Sequence, residues 1–321
     1  MNTSQPLVSV LIPAYNHENY VQDTIKSVIN QTYNNIELII FDDGSKDSTW
    51  QKICEMKEQC ENRFANTHFE TKENEGTCTT LNKLVNLAKG KYVYLLASDD
   101  MVKPTAFSTF VDYLENNPDY ALVTGDCEII DTDGNVCYWS ENREIVYSPE
   151  DATYLTFGEY FSSARNIVLT SDRFGAYDLL YQYNHVPNGY FLKREVYDII
   201  GPYTKEAPLE DLWLLRQIAK YAKMKYIPEI CLSYRWHNLN TVKSKDYFKN
   251  IIQKTRDYED FILENIDETK VFPIVLEVKR YGILYKKIGI PNILEILKYK
   301  KKNKKIKTIK FFGIWQFYIK K

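Results

Sequence analysis

Between residues 7 and 97 the chain passes four times from a short apolar run into a polar cluster, with a helix-patterned stretch before the next run. Residues 7–12 (LVSVLI), 36–41 (IELIIF) and 91–97 (KYVYLLA) do not alternate. Continuous apolar runs of this length predict strands buried on both faces. Residues 66–71 predict a weaker strand. Residues 19–30, 48–59 and 77–88 predict helices; Val21, Ile25, Val28 and Ile29 share one side of the first. Gly90 is expected to stop the third. Strands and helices alternating at this spacing imply right-handed crossovers and a parallel sheet. Residues 104–116 (helix) and 120–125 (strand) continue the rhythm.

Beyond Asp126 the rhythm is lost. Residues 127–185 are rich in Tyr, Ser, Asp and Asn, which predicts irregular segments and short strands facing a substrate. Helical patterning returns at 193–200 and 211–222, a strand is expected at 225–230, and helices dominate from 246. The fold class is therefore α/β: a Rossmann-like, mostly parallel sheet flanked by helices, with a mainly helical C-terminal extension. The expected divisions are 1–235 (halves 1–125 and 126–235), 236–297 and a basic aromatic tail, 298–321.

Each early strand ends in polar residues: Pro13-Ala14-Tyr15-Asn16, Asp42-Asp43-Gly44-Ser45, Glu73-Asn74-Glu75-Gly76 and Ala97-Ser98-Asp99-Asp100. Open α/β sheets bind ligands outside the carboxyl ends of their strands, so the four clusters should converge. The site they form is acidic, and neither a G-x-x-x-x-G-K-[ST] loop nor a G-x-G-x-x-G fingerprint is present. An acidic site that handles phosphates needs a metal between the negative charges. Asp99 and Asp100 are suitable hard ligands for Mg²⁺ or Mn²⁺, although paired aspartates at a strand end also serve as turns or helix caps.

The run PAYNHENYVQDTIKSVINQTYNNIELIIFDDGSKDST, then NEG, then AKGKYVYLLASDD, resembles family 2 glycosyltransferases of the GT-A fold. The likeness is dense over residues 7–125. Two later motifs keep the family order, Leu209-Glu210-Asp211-Leu212-Trp213 and Tyr234-Arg235-Trp236-His237-Asn238. The resemblance implies a nucleotide-sugar donor, a divalent metal (Mn²⁺ or Mg²⁺) and inversion at the anomeric carbon. It assigns Pro13, Tyr15 and Asn16 to base and ribose, Asp42 to a hydrogen bond from uracil or ribose, and Asn74 and Gly76 to ribose or donor sugar. Asp99 matches the metal-binding aspartate of D-x-D, whose first acid is here Ala97. Either Asp99 alone holds an ion that arrives with the donor, or Asp100 helps. Asp211 matches the general base, with Glu210 beside it, though two acids opening a helix are also favoured by its dipole. His237 is expected on the metal or diphosphate, and Arg235 as a phosphate clamp.

The formal net charge is −2, but 298–321 holds ten lysines and no acid, leaving about −12 on the rest. An acidic body argues against nucleic-acid binding. The tail's lysines surround aromatic residues, a composition suited to an anionic membrane surface. No run approaches the roughly 18 apolar residues of a span, and no signal-peptide pattern opens the chain. Six cysteines without metal-ligand spacing read as free thiols. The expectation is a cytoplasmic enzyme, peripheral at the inner face of the membrane and capable of homodimerising through its C-terminal helices. It would use a UDP-sugar and a glycan or lipid-linked acceptor in surface polysaccharide synthesis. A catalytically weak nucleotide-sugar-binding scaffold is the alternative, supported by Ala97.

Overall fold

The computed structural model describes residues 5–287, 306–311 and 315–319. The chain opens with β1 (Val8–Ala14), α1 (Val21–Ile29), β2 (Ile36–Asp42), α2 (Thr49–Glu55), α3 (Lys57–Arg63), β3 (Asn66–Thr71), α4 (Thr77–Leu87) and β4 (Tyr92–Leu95). β1 pairs in parallel with β2 on one side and β4 on the other, and β2 pairs in parallel with β3. β2 is buried throughout and β1 everywhere but Pro13, so neither has a polar face to alternate. The helix expected over 48–59 is two helices, broken where Met56 turns into the core. Gly90 has a different role from the one expected. Ala88 ends α4 in extended conformation, and Gly90 lies where the chain presses on β1. A Cβ there would sit 2.6 Å from Ser9 Oγ and 2.7 Å from the Leu7 carbonyl.

Then come β5 (Met101–Val102), α5 (Ala106–Asn116), β6 (Tyr120–Ile130), β7 (Val136–Trp139), β8 (Ile145–Val146), α6 (Phe157–Arg165), α7 (Tyr177–Gln182), β9 (Tyr190–Lys193), α8 (Val196–Ile200), α9 (Glu210–Ala219), β10 (Lys223–Arg235) and α10 (Lys245–Glu264). The sheet order is β3-β2-β1-β4-β9-β6-β10-β5. It is mostly parallel; β9 runs antiparallel to both β4 and β6, and β5 antiparallel to β10. The helix expected from residue 193 is thus a strand followed by the short α8. Two helices, α6 and α7, stand in the region expected to be irregular.

α10 is seated by a buried charge network. The Lys220 ammonium lies 2.8 Å from Glu259 Oε1, with both side chains at most 1 % exposed. Gln217 donates to the other Glu259 oxygen at 2.8 Å, and the Tyr177 hydroxyl also bonds this carboxylate. α10 therefore belongs to a compact unit, Met1–Asn265, which extends past the expected boundary at residue 235. The second unit, Ile266–Lys321, contains α11 (Pro273–Lys287) and an antiparallel pair, β11 (Ile306–Phe311) with β12 (Trp315–Ile319). The rest of the basic tail lies outside the described residues. Among the described residues all six cysteines are free, and no helix is long and apolar enough to cross a membrane.

Removing one partner of a buried pair strands the other charge. Glu259→Ala should therefore cost about 3–5 kcal/mol in urea unfolding. Replacing both partners, Lys220→Met with Glu259→Leu, should recover most of that loss.

Candidate functional site

The carboxyl ends of β1, β2 and β4 carry the residues singled out from sequence, and hydrogen bonds lock their loops together. Asn16 has a left-handed backbone (φ 53°). Its N–H donates to Ser45 Oγ at 2.9 Å and its Oδ1 accepts from the Lys46 N–H at 2.8 Å. Tyr15 beside it is 44 % exposed, leaving its ring face available for stacking. Pro13 pairs in register with Phe41 and is half-buried. Asp42 Oδ2 accepts from the Ser45 N–H (3.3 Å) and Thr71 Oγ1 (2.7 Å). Its Oδ1 is buried without a hydrogen-bond partner among the described residues. A buried acceptor left unpaired is costly, and an N–H or O–H of a bound base or ribose would satisfy it. Asp43 shapes the turn, holding the Lys72 ammonium and the N–H groups of Glu75 and Gly76 (both 2.9 Å). Gly76, at φ 87°, caps α4. Asn74 is exposed, and its backbone passes so close to Gly44 that a Cβ there would lie 2.7 Å from the Asn74 nitrogen.

The fold brings His237 beside Asp99. His237 Nε2 lies 2.9 Å from Asp99 Oδ2. The Leu239 N–H donates to His237 Nδ1, which leaves the ring proton on Nε2, facing the carboxylate. To ligate a metal through Nε2, the neutral ring would carry its proton on Nδ1 instead and release the Leu239 N–H. Burial alone would raise the Asp99 pKa, but the His237 hydrogen bond and the nearby His17 hold it below the ordinary value. A third donor comes from a residue that sequence reasoning passed over. His17, in the loop after β1, offers Nε2 at 3.8 Å from the same Asp99 oxygen. One donor atom from each of His17, Asp99 and His237 falls within 4.8 Å of the others. Two imidazoles and a carboxylate suit Mn²⁺, so the donor set fits the expected metal.

Asp100 stands outside this set. Its Oδ1 accepts the Arg235 backbone N–H at 2.9 Å. Burial and the Asp99 charge push its pKa well above the ordinary value. Arg235 is not placed as a phosphate clamp. It is fully buried, and its guanidinium donates to the carbonyls of Asp99 (2.8 Å), Thr132 (3.0 Å) and Asp131 (3.3 Å). It also meets Asp23 at 3.3 Å and lies over the Tyr20 ring, which stacks on His237. Its donors are consumed by the protein, and it acts as a strut beneath Asp99.

Glu210 and Asp211 open α9, half-buried. Asp211 Oδ1 accepts the Leu212 N–H at 2.5 Å, and Oδ2 accepts from Asn184 Nδ2 at 3.3 Å. Asn184 is oriented in turn by the Val186 N–H on its Oδ1 (2.9 Å). Burial raises the Asp211 pKa despite these bonds. Burial and the adjacent Asp211 charge raise Glu210 to about 7. The stretch before α9 is pinned from two sides. Tyr203 exchanges two bonds with Asn82 of α4 (2.8 and 2.9 Å), and the Leu209 N–H donates to Thr255 Oγ1 of α10 at 3.0 Å. A carboxylate with raised proton affinity, oriented by a side-chain amide, has the form of a general base. His17 and Ser98 lie inside the recognised motifs, which assign them no role, and Asn184 lies outside them, in a stretch with no clean period.

If Arg235 is a strut, Arg235→Ala should lower stability by at least about 1–3 kcal/mol, because the Asp99, Asp131 and Thr132 carbonyls lose their donor. A clamp would leave the melting temperature unchanged and raise only the KM for a phosphate-bearing ligand.

The family model described as Glycosyl transferase family 2 matches residues 9–177. An uncharacterized glycosyltransferase of Haemophilus influenzae is 28 % identical over 95 % of this chain and 84 % of its own. TuaG of Bacillus subtilis, named for teichuronic acid biosynthesis, is 32 % identical over 48 % of this chain and 58 % of its own. Among solved structures, a mannosyltransferase from Pyrobaculum calidifontis, in complex with GDP-Man and Mn²⁺, superposes with a TM-score of 0.59. It is 14 % identical and covers 88 % of this chain and 70 % of its own. S. aureus TarS 1-349 in complex with UDP-GlcNAc gives 0.51 at 16 % identity, covering 77 % and 66 %. Both structures support the GT-A architecture.

Proposed function

The chain belongs to glycosyl transferase family 2, and on that premise we propose that it moves a sugar from a UDP-sugar to an acceptor hydroxyl with inversion at the anomeric carbon. The observation that carries this reading is the Asp211 carboxylate, oriented by Asn184 and Leu212 at the head of α9. Asp211 takes the proton of the acceptor hydroxyl as that oxygen bonds the anomeric carbon. The bond from that carbon to the diphosphate breaks, and the nucleoside diphosphate leaves with the electron pair. Attack and departure on opposite faces invert the centre. Tyr15 stacks on the base, and Asp42 Oδ1 accepts one of its N–H groups or a ribose hydroxyl. A divalent cation held by Asp99 and His237 would supply positive charge to stabilise the departing diphosphate. Glu210, raised to about 7 by burial and the Asp211 charge, stands beside the base and orients the acceptor.

UDP is favoured by the TarS likeness, and GDP is the competing nucleotide by likeness to the mannosyltransferase. The teichuronic acid relative supports a surface-polysaccharide acceptor, glycan or lipid-linked. The ten lysines of 298–321 support contact with an anionic membrane on the cytoplasmic side. The scaffold reading rests on Ala97 and requires that no sugar be transferred.

A thermal-shift series with UDP, GDP, CMP and dTDP, each with and without Mn²⁺, identifies the donor class. One nucleotide should raise the melting temperature, more with the metal. Asp211→Asn should fold, bind that nucleotide and lose about 10²–10⁴-fold in transfer. Transfer at the wild-type rate would remove Asp211 from the role of base. Because the base must be ionised, transfer should rise with pH through the raised range of the Glu210–Asp211 pair. Stability should run the other way. The Glu210 contribution is fully present below its ordinary 4.5 and is lost as pH rises through about 7. Glu210→Gln should flatten that part of the stability curve.

A further inference from the structure

We infer that His17 is a third protein ligand to the divalent cation, so that the free protein takes up Mn²⁺ before any nucleotide arrives. The expectation from sequence was the reverse: one carboxylate, with Ala97 where a second acid would stand, and an ion brought in by the donor. The geometry fills that deficit from another strand. His17 is held at both ends of its own loop: its N–H donates to Thr49 Oγ1 at 2.7 Å, and its carbonyl accepts from Tyr20 (3.0 Å) and Val21 (2.9 Å). Its Nδ1 lies 2.7 Å from the buried Ser98 hydroxyl. A ring nitrogen tied to a hydroxyl fixes the orientation of the other nitrogen, the usual support of a metal-ligating histidine.

The other nitrogen has no such bond. His17 Nε2 faces Asp99 Oδ2 at 3.8 Å, too long for a hydrogen bond, while His237 already occupies that oxygen at 2.9 Å. The two imidazole rings meet edge to face with centroids 5.8 Å apart, so their Nε2 atoms converge on one carboxylate without stacking. A cation among these three atoms would bond both nitrogens and the carboxylate together. A set of two imidazoles and one carboxylate favours Mn²⁺ or a later transition metal over Mg²⁺, which prefers oxygen and keeps its waters. Three protein ligands also remove the need for a diphosphate to complete a minimal site. The inference deepens the donor-site reading and rests on it only for what the ion later meets.

The test is an electron paramagnetic resonance titration of the full chain with Mn²⁺ alone, nucleotide omitted. The wild-type protein should quench the free Mn²⁺ signal at one ion per chain, and Mg²⁺ should displace that ion poorly. His17→Ala should weaken binding at least about tenfold, the scale seen even for outer-shell losses. If His17→Ala does not fold, Ser98→Ala serves instead and should weaken binding about tenfold. Wild-type protein that ignores Mn²⁺ until UDP is added would overturn the inference while leaving the glycosyltransferase reading intact, as would variants that bind like wild type. Mn²⁺ uptake that depends on His17, in a protein that binds no nucleotide, would uphold the ligand set and sink the donor-site reading.

Discussion

A guanidinium sealed at the end of β10 holds the functional edge of this sheet in register. Arg235 has no exposed surface, and its hydrogen bonds run outward to three separate stretches of chain: the Asp99 carbonyl after β4, the Asp131–Thr132 turn after β6, and Asp23 on α1. Burying a full charge is tolerable only when its donors are paired, and a planar fork with five N–H groups can serve several acceptors at once. Tyr20 extends the arrangement, with the Arg235 guanidinium over its ring at 4.9 Å and His237 stacked at 5.0 Å. The position of Asp99, and with it any ion, is thus set by an interaction that never touches ligand.

Two pairs of adjacent acids stand in the candidate site, and burial acts on both members of each. The His237 hydrogen bond and the nearby His17 hold Asp99 below its ordinary value despite burial, while Asp100, the next residue, is raised well above its own by burial and the Asp99 charge. At the head of α9, Asp211 keeps a backbone N–H and an amide as partners, and Glu210 is raised to about 7. Like charges held close cannot both ionise cheaply, and in each pair the neighbour's charge adds to burial in raising one carboxyl, Asp100 or Glu210.

The donor half was legible because parallel strands buried on both faces must be apolar throughout, and their polar exits mark one edge. β2 and β3 fall within a residue of their expected limits. What escaped was set by partners distant in sequence. β9 is four residues long and runs straight into a helical pattern, so its period was invisible until β4 and β6 bracketed it. Arg235 looked like a phosphate ligand because a motif cannot show that backbone carbonyls already use its donors. His17 lay inside a recognised motif, but only the fold brings it to Asp99, 82 residues later in the chain. Asn184 sat in a region without periodicity, and its value comes from where Val186 and Asp211 hold it.

The reversed direction of β9 has a consequence for how such a chain could diversify. β6 leaves the sheet at the functional edge, and β9 re-enters at that same edge as its direct neighbour, with Leu122 opposite Leu192. The returning strand is therefore held beside Leu122 and Val123 of β6 at the spacing of adjacent strands, about 4.8 Å, whatever the length of the excursion between. Lengthening a loop whose ends are already pinned costs little entropy. Exchanging residues 131–189 while β1–β4 are kept would have several conditions: Tyr177 bonds Glu259 of α10, Asn184 bonds Asp211 of α9, and the Asp131 and Thr132 carbonyls accept from Arg235.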